Sequence, residues 1–137
     1  MFGINEKVEG LKKRTHDFFI RVIRFCRDVP PSTEGDSIVD QLVDSAGSTD
    51  SNYRAACKAR SKKEFIAKVG VAAEEADESL GWLQSLLDAR LGDQSQLPDL
   101  IKEANELTSI FVSSHKTATA RLAAEEEQRA TPKRRRR

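Results

Sequence analysis

The residues with the most evident capacity for chemistry are four carboxylates crowded together, Glu74, Glu75, Asp77 and Glu78, with Trp82 four positions beyond the last of them. Inward glutamates of a helical bundle can hold a di-metal centre, but such centres draw Glu-x-x-His pairs from two helices. Lys13 stands three residues before His16 and Val112 three before His115, so neither histidine completes such a pair. The carboxylates therefore read as a solvated acidic face, with Glu75 or Glu78 able to pair with Arg54, Lys58 or Arg60 across helices. For nucleophilic catalysis there are serines, threonines, two cysteines and two histidines, but no nucleophile elbow, cysteine-protease signature or glycine-rich phosphate loop. No catalytic residue, metal or cofactor is assigned and no small-molecule substrate is expected. The chain does not read as an enzyme, and a metal-dependent bundle enzyme is the remote alternative.

The second chemical feature is the run Lys133, Arg134, Arg135, Arg136 and Arg137. These five cations leave residues 1–132 with 18 basic and 22 acidic side chains, a net −4, so the body is mildly acidic and the tail strongly basic. Clustered Arg and Lys neutralise phosphates and release counterions, which gives affinity for RNA or DNA without sequence preference. A solubilising terminus is the competing reading.

The elements that must position these groups are helices. A chain of 137 residues suits one domain, and 38% hydrophobic with only 6% aromatic residues favours helices over a β-sandwich. No stretch approaches the roughly 20 apolar residues of a membrane span, and MFGINEKVEGLKKR lacks the apolar core and cleavage site of a signal peptide, which predicts a cytoplasmic location without membrane attachment. Cys26 and Cys57 are too few and too far apart for a disulfide framework or a metal site, and read as buried free thiols.

The spacing predicts helices over about 5–28, 33–60, 62–91 and 97–128, an all-α antiparallel up-down four-helix bundle over 1–129, and a disordered basic tail over 130–137. In the first helix Asn5 is a candidate N-cap, Val8, Leu11, Thr15, Phe18, Val22 and Phe25 form the inward seam, and Pro30-Pro31 stops it. Phe19, Ile20, Ile23 and Cys26 lie off that seam, so the helix is either embraced by two neighbours or touches another subunit. The second helix is capped by Ser32, Thr33 or Asp36, and its seam reads Ile38, Leu42, Ser45, Thr49, Asn52, Ala56 and Ala59. Small and polar residues thus stand where Leu would be expected, and Gly47 either lies within a continuous helix or kinks it. Ser61 to Glu64 is a capping box that opens a third helix with Phe65, Val69, Ala72, Ala76, Leu80, Leu83 and Leu87 inward, ended by Gly92. Leu97-Pro98 opens the fourth, with Leu100, Ile101, Ala104, Leu107, Ile110, Phe111 and Ser114 inward and a frayed extension beyond His115.

With these residues laid out, the chain resembles the bacterial four-helix-bundle family encoded in intervening sequences of large-subunit ribosomal RNA genes. Gln41, Ser45, Ala46, Ser48, Asn52, Arg60, Ser61, Glu64 and Phe65 fill that family's helix-two pattern without a gap. One branch reading NYRAA, RS, EEADES and W is matched by Asn52 to Ala56, Arg60-Ser61, Glu74 to Ser79 and Trp82, and KEANEL at 102–107 extends the likeness weakly, so that it covers about residues 5–120. The commoner family form has Ala-Glu-Gly soon after the Asn; this chain has Ala55-Ala56-Cys57, and any role of that Glu does not carry over.

The resemblance implies a homo-oligomer, typically a pentameric ring, without known catalysis. Distant relatives are accessory proteins of diversity-generating retroelements, in which a basic pentamer binds nucleic acid and a reverse transcriptase. It also implies structural or interface roles for Gln41, Ser45, Ser48, Asn52, Tyr53, Arg60, Ser61, Glu75, Glu78 and Trp82. The expected function is that of a scaffold or nucleic-acid-associated accessory protein whose partner is itself and, through the tail, RNA or DNA. The alternative is a protein–protein scaffold indifferent to nucleic acid.

Overall fold

The computed structural model describes residues 2–131, with side chains from Glu6 onward; Lys133 to Arg137 lie outside the described residues. Four apolar stripes at helical spacing give four helices, α1 (Phe2–Arg27), α2 (Thr33–Cys57), α3 (Lys62–Ala89) and α4 (Leu97–Ala130). Short connections force successive helices antiparallel. α3 packs broadly on both α2 and α4, α1 packs on α2, and the α1–α4 contact is the slightest of the four, so the helices follow one another around a single core.

The capping chemistry explains most helix ends. Ser32 is the residue that caps α2, its Oγ accepting from the Gly35 amide at 2.9 Å. The Cβ of any other residue at position 35 would lie 2.7 Å from that hydroxyl. Ser61 Oγ accepts from the Glu64 amide at 3.1 Å, and Glu64 reaches back to the Arg60 amide at 3.2 Å, one residue earlier than the usual reciprocal bond. Before α4, Asp93 gathers the Ser95 amide at 3.0 Å, the Ser95 hydroxyl and the Gln96 amide group, which holds its carboxyl below the ordinary range. Pro98 sits in the first turn that follows.

Several boundaries differ from the sequence reading. Asn5 lies inside α1 rather than at its cap. α2 ends at Cys57, because Lys58 leaves helical geometry and closes the last turn on Ala55 and Ala56. Arg90, not Gly92, terminates α3: it is left-handed at φ 57, and Leu91 donates to Leu86 while Arg90 donates to Leu87, the paired bonds of a Schellman turn. Gly92 has φ +82, and a Cβ there would sit 2.6 Å from the Phe25 ring, so the second reversal lets the loop close over the end of α1. α4 continues to Ala130, although it buries no residue beyond Phe111.

The α1 seam is as the spacing predicts, with Thr15, Phe18, Val22 and Phe25 buried and Leu11 packed at its edge. α2 is continuous through Gly47, which faces the Phe19 ring of α1 at 3.2 Å from where a Cβ would stand. The glycine thus gives up about 1 kcal/mol of helix propensity and provides the notch that seats Phe19. Gly70 of α3 does the same for His115 of α4, at 3.1 Å. The α2 seam keeps Leu42, Ser45, Thr49 and Ala56, but Asp50 and Tyr53 are buried where Asn52 was expected, and Ile38 and Ala59 are only half-buried. On α3 the stripe drifts, so that Ser79 and Leu86 are buried while Leu80 and Leu87 pack at the margin. Tyr53 and Phe111 meet across the core with ring centroids 5.1 Å apart.

The two unusual backbone positions make an opposed pair of expectations for urea unfolding. Arg90→Gly relieves left-handed strain at the expense of unfolded-chain entropy and is expected to raise stability by about 0.5 kcal/mol. Gly92→Ala meets both the positive φ and the Phe25 ring and is expected to lower it by about 2 kcal/mol.

Candidate functional site

Gln41, Ser45, Ser48 and Asn52 recur at 4-3-4 spacing and share one stripe of α2. Ser45 is its buried floor: its hydroxyl lies 2.8 Å from Ser79 Oγ on α3, and Ser79 in turn donates to the Glu75 carbonyl at 2.9 Å. Thr49 donates to the Ser45 carbonyl, so every buried hydroxyl of this seam is satisfied. Asn52 donates back to the Ser48 carbonyl and hydroxyl, and Gln41 is exposed. Ser45 is thus the member of this stripe that joins α2 to α3, while Ser48 and Asn52 bond within α2. The signal for Ser79, the cross-helix partner, was its place in EEADES, but spacing alone pointed to Leu80.

On α3, Glu75 and Trp82 are half-buried and Glu78 is exposed, with Trp82 Nε1 donating to Glu78 at 3.3 Å. Among the described residues neither Glu75 nor Glu78 pairs with Arg54, Lys58 or Arg60; Arg54 lies instead beside Asp50 on its own helix. Glu75 is consequently a half-buried carboxylate with no cation against it. Burial, reinforced by Glu78 and Glu74, raises its pKa above the ordinary glutamate value.

Two polar contacts that spacing did not reveal tie α1 to its neighbours. His16 Nδ1 lies 2.9 Å from Asp50 on α2, in a shallow groove also lined by Lys12, Lys13 and Tyr53. The geometry is that of a base with an orienting carboxylate, yet no Ser, Thr or Cys lines the groove, and the imidazole is about half exposed, so nothing there excludes water from a reaction. Arg14 makes a forked contact with Glu103 on α4, Nε donating to Oε2 at 2.8 Å and Nη2 to Oε1, and the same Nη2 also reaches Glu106. That clamp closes the narrow α1–α4 seam.

Below the clamp α1 and α4 leave a groove of about 930 Å³. Its walls are apolar, with Val8 and Leu11 from α1, Tyr53 and Ala56 from α2, Phe65 from α3 and Ala118 from α4. Lys7, Arg60, Lys62 and Arg121 ring it, with Glu125 the one acid, and Lys62 contacts Glu125. Tyr53, Ala56, Arg60, Ser61 and Phe65 of the sequence motifs belong to this groove; Gln41, Ser45, Ser48, Asn52, Glu75, Glu78 and Trp82 do not. Burial pushes the Tyr53 hydroxyl and the thiol of Cys57, which also lines the groove, above their usual ranges, so neither supplies a ready nucleophile. Among the described residues no His, Cys, Asp and Glu groups gather into a metal-holding cluster, and no helix is long and apolar enough to cross a membrane.

Residues 10–113 match the family model described as 23S rRNA-intervening sequence protein. The fold is shared with a crystal structure of a protein of unknown function from the S23 ribosomal protein family of Bacteroides thetaiotaomicron, at a TM-score of 0.72 and 24% identity, covering 80% of this chain and 98% of that one. No curated protein matches the sequence.

The uncompensated Glu75 sets a pH dependence. Its folded pKa lies above its unfolded value, so the stability it contributes is present below the ordinary glutamate range and lost as pH rises through the raised value. In the dissociated single chain, where no cation stands against the carboxylate, Glu75→Gln is expected to unfold at a higher urea concentration than the parent near neutral pH, with the difference vanishing in acid. Equal midpoints at both pH values would show that the carboxylate is fully solvated.

Proposed function

Since this chain belongs to the 23S rRNA-intervening sequence protein family, we propose that it is a non-enzymatic, self-assembling helical-bundle accessory or scaffold protein whose basic end contacts nucleic acid. Pentameric assembly is the form that the family resemblance suggests. The observation that carries the reading is the segregation of charge. α4 ends at the same end of the bundle as the groove ringed by Lys7, Arg60, Lys62 and Arg121, and the sequence runs on from Thr131 into Lys133 to Arg137. Phosphate-binding capacity is thus concentrated in the last five residues of a sequence whose other 132 carry a net −4. Assembly would multiply it, since several tails on one particle act at high effective concentration.

The net −4 of residues 1–132 favours a second reading, a protein–protein scaffold without a nucleic-acid role. The two are separated by comparing the full chain with a chain ending at Thr131 for binding to single-stranded and duplex RNA and DNA. The full chain is expected to bind with affinity that falls steeply with salt, and the shortened chain to bind at least about tenfold more weakly at low salt. Equal binding by both, or none by either, favours the scaffold. Sedimentation equilibrium tests assembly: about five times 15.3 kDa is expected, and a stable monomer would refute it.

A further inference from the structure

Two surfaces remain without partners in the monomer, and their chemistry is opposite. One is the groove between α1 and α4. Lys62 is engaged by Glu125, while Lys7, Arg60 and Arg121 make no side-chain ion pair among the described residues, so three uncompensated cations surround an apolar floor. The floor offers little to a nucleobase, because Tyr53 is 5% exposed with its ring against Phe111 and Phe65 packs on the core. The basic tail is excluded as an occupant by like charge.

The other surface is the outer ridge of α3. Val71, one of two large apolar side chains exposed among the described residues, is followed at helical spacing by Glu75, Glu78 and Trp82, with Glu74 alongside. None of these three glutamates has an ion-pair partner among the described residues. The ridge has the exposed Val71 at one end and Trp82, half-buried and partly packed on the core, at the other, with carboxylates between them at the i, i+4, i+7, i+11 spacing of one helix face. The lengths agree as well. Val71 to Trp82 is twelve residues, as is the α4 wall from Ser114 to Glu125, each a rise of about 16 Å at 1.5 Å per step.

We propose that the α1–α4 groove receives the α3 ridge of a second copy of this chain, with Val71 and Trp82 as apolar anchors and Glu74, Glu75 and Glu78 against Lys7, Arg60 and Arg121. The contact is heterologous, since each copy offers a ridge at one face and a groove at another. Repetition of such a contact produces a closed ring when the rotation permits. It also places a cation beside Glu75, which the monomer leaves bare. The inference rests on the proposed self-assembly and assigns the surfaces that carry it.

Charge reversal tests this in the full chain. R60E with R121E, and separately E74K with E78K, are each expected to reduce the sedimentation mass, because like charges then face each other. The chain carrying all four substitutions restores opposite signs and is expected to recover the parent mass. Ala118→Trp, which fills the groove without changing charge, is expected to dissociate the particle as well. Helical circular dichroism and the urea midpoint show that each variant is folded. If the parent is itself a monomer, the self-assembly reading fails and this inference with it. If the parent assembles and the folded variants keep its mass, or the fourfold variant fails to recover it, assembly uses other surfaces and this inference alone is overturned. Weakened oligonucleotide binding by Ala118→Trp at unchanged mass would also overturn it, by making the groove a nucleic-acid site.

Discussion

The close approach of α2 to α3 is the constraint from which the rest of this structure follows. Where a bundle seam ordinarily places Leu, α2 has Ser45, Ala46 and Thr49 and α3 has Ala72, Ala76 and Ser79, all buried. Small side chains bring the backbones together, and close approach would be costly if it left hydroxyls unpaired. It does not, because Ser45, Ser79 and Thr49 hand their hydrogen bonds to one another and to carbonyls of their own helices. The seam therefore substitutes contact area and satisfied polar groups for bulk.

That choice makes α3 the central element and leaves α1 the most lightly held. α1 is seated by fit, with Phe19 in the Gly47 notch, and by polar contacts, with His16 against Asp50 and Arg14 forked onto Glu103. Glu103 is largely sheltered, so its pairing with Arg14 matters more than an exposed pair would. Beyond the clamp no hydrogen bond or ion pair joins α1 to α4 among the described residues, and the groove opens there. Its size and chemistry are thus a consequence of how the other three helices pack.

The distribution of charge follows the same geometry. Basic residues from the start of α1, the α2–α3 connection and the far part of α4 are distant in sequence, yet antiparallel packing brings them to one end. The acidic stretch of α3 stays on the outer ridge, where burial of Glu75 without a counter-ion is tolerated because the carboxylate is only half enclosed. A particle with unlike ends and faces is suited to directional association.

The sequence by itself determined the number of helices, the helix starts at Ser61 and Leu97, the break at Pro30-Pro31, and the α1 seam of Thr15, Phe18, Val22 and Phe25. These depend on local capping chemistry and on a 3.6-residue period over a few turns, both of which are written in consecutive residues. It fared less well as stripes lengthened, since the helical repeat drifts by about 20° per heptad. Leu80 and Leu87 then yield to Ser79 and Leu86, and Asn52 to Tyr53. Tertiary structure alone decided that Gly47 is a seat and not a kink, that Asp50 faces His16, that Arg14 bridges to α4, and that Arg60 borders a groove while Glu75 stands without a cation. Each of these is settled by which helices become neighbours and at what height, and no pattern within one helix encodes that.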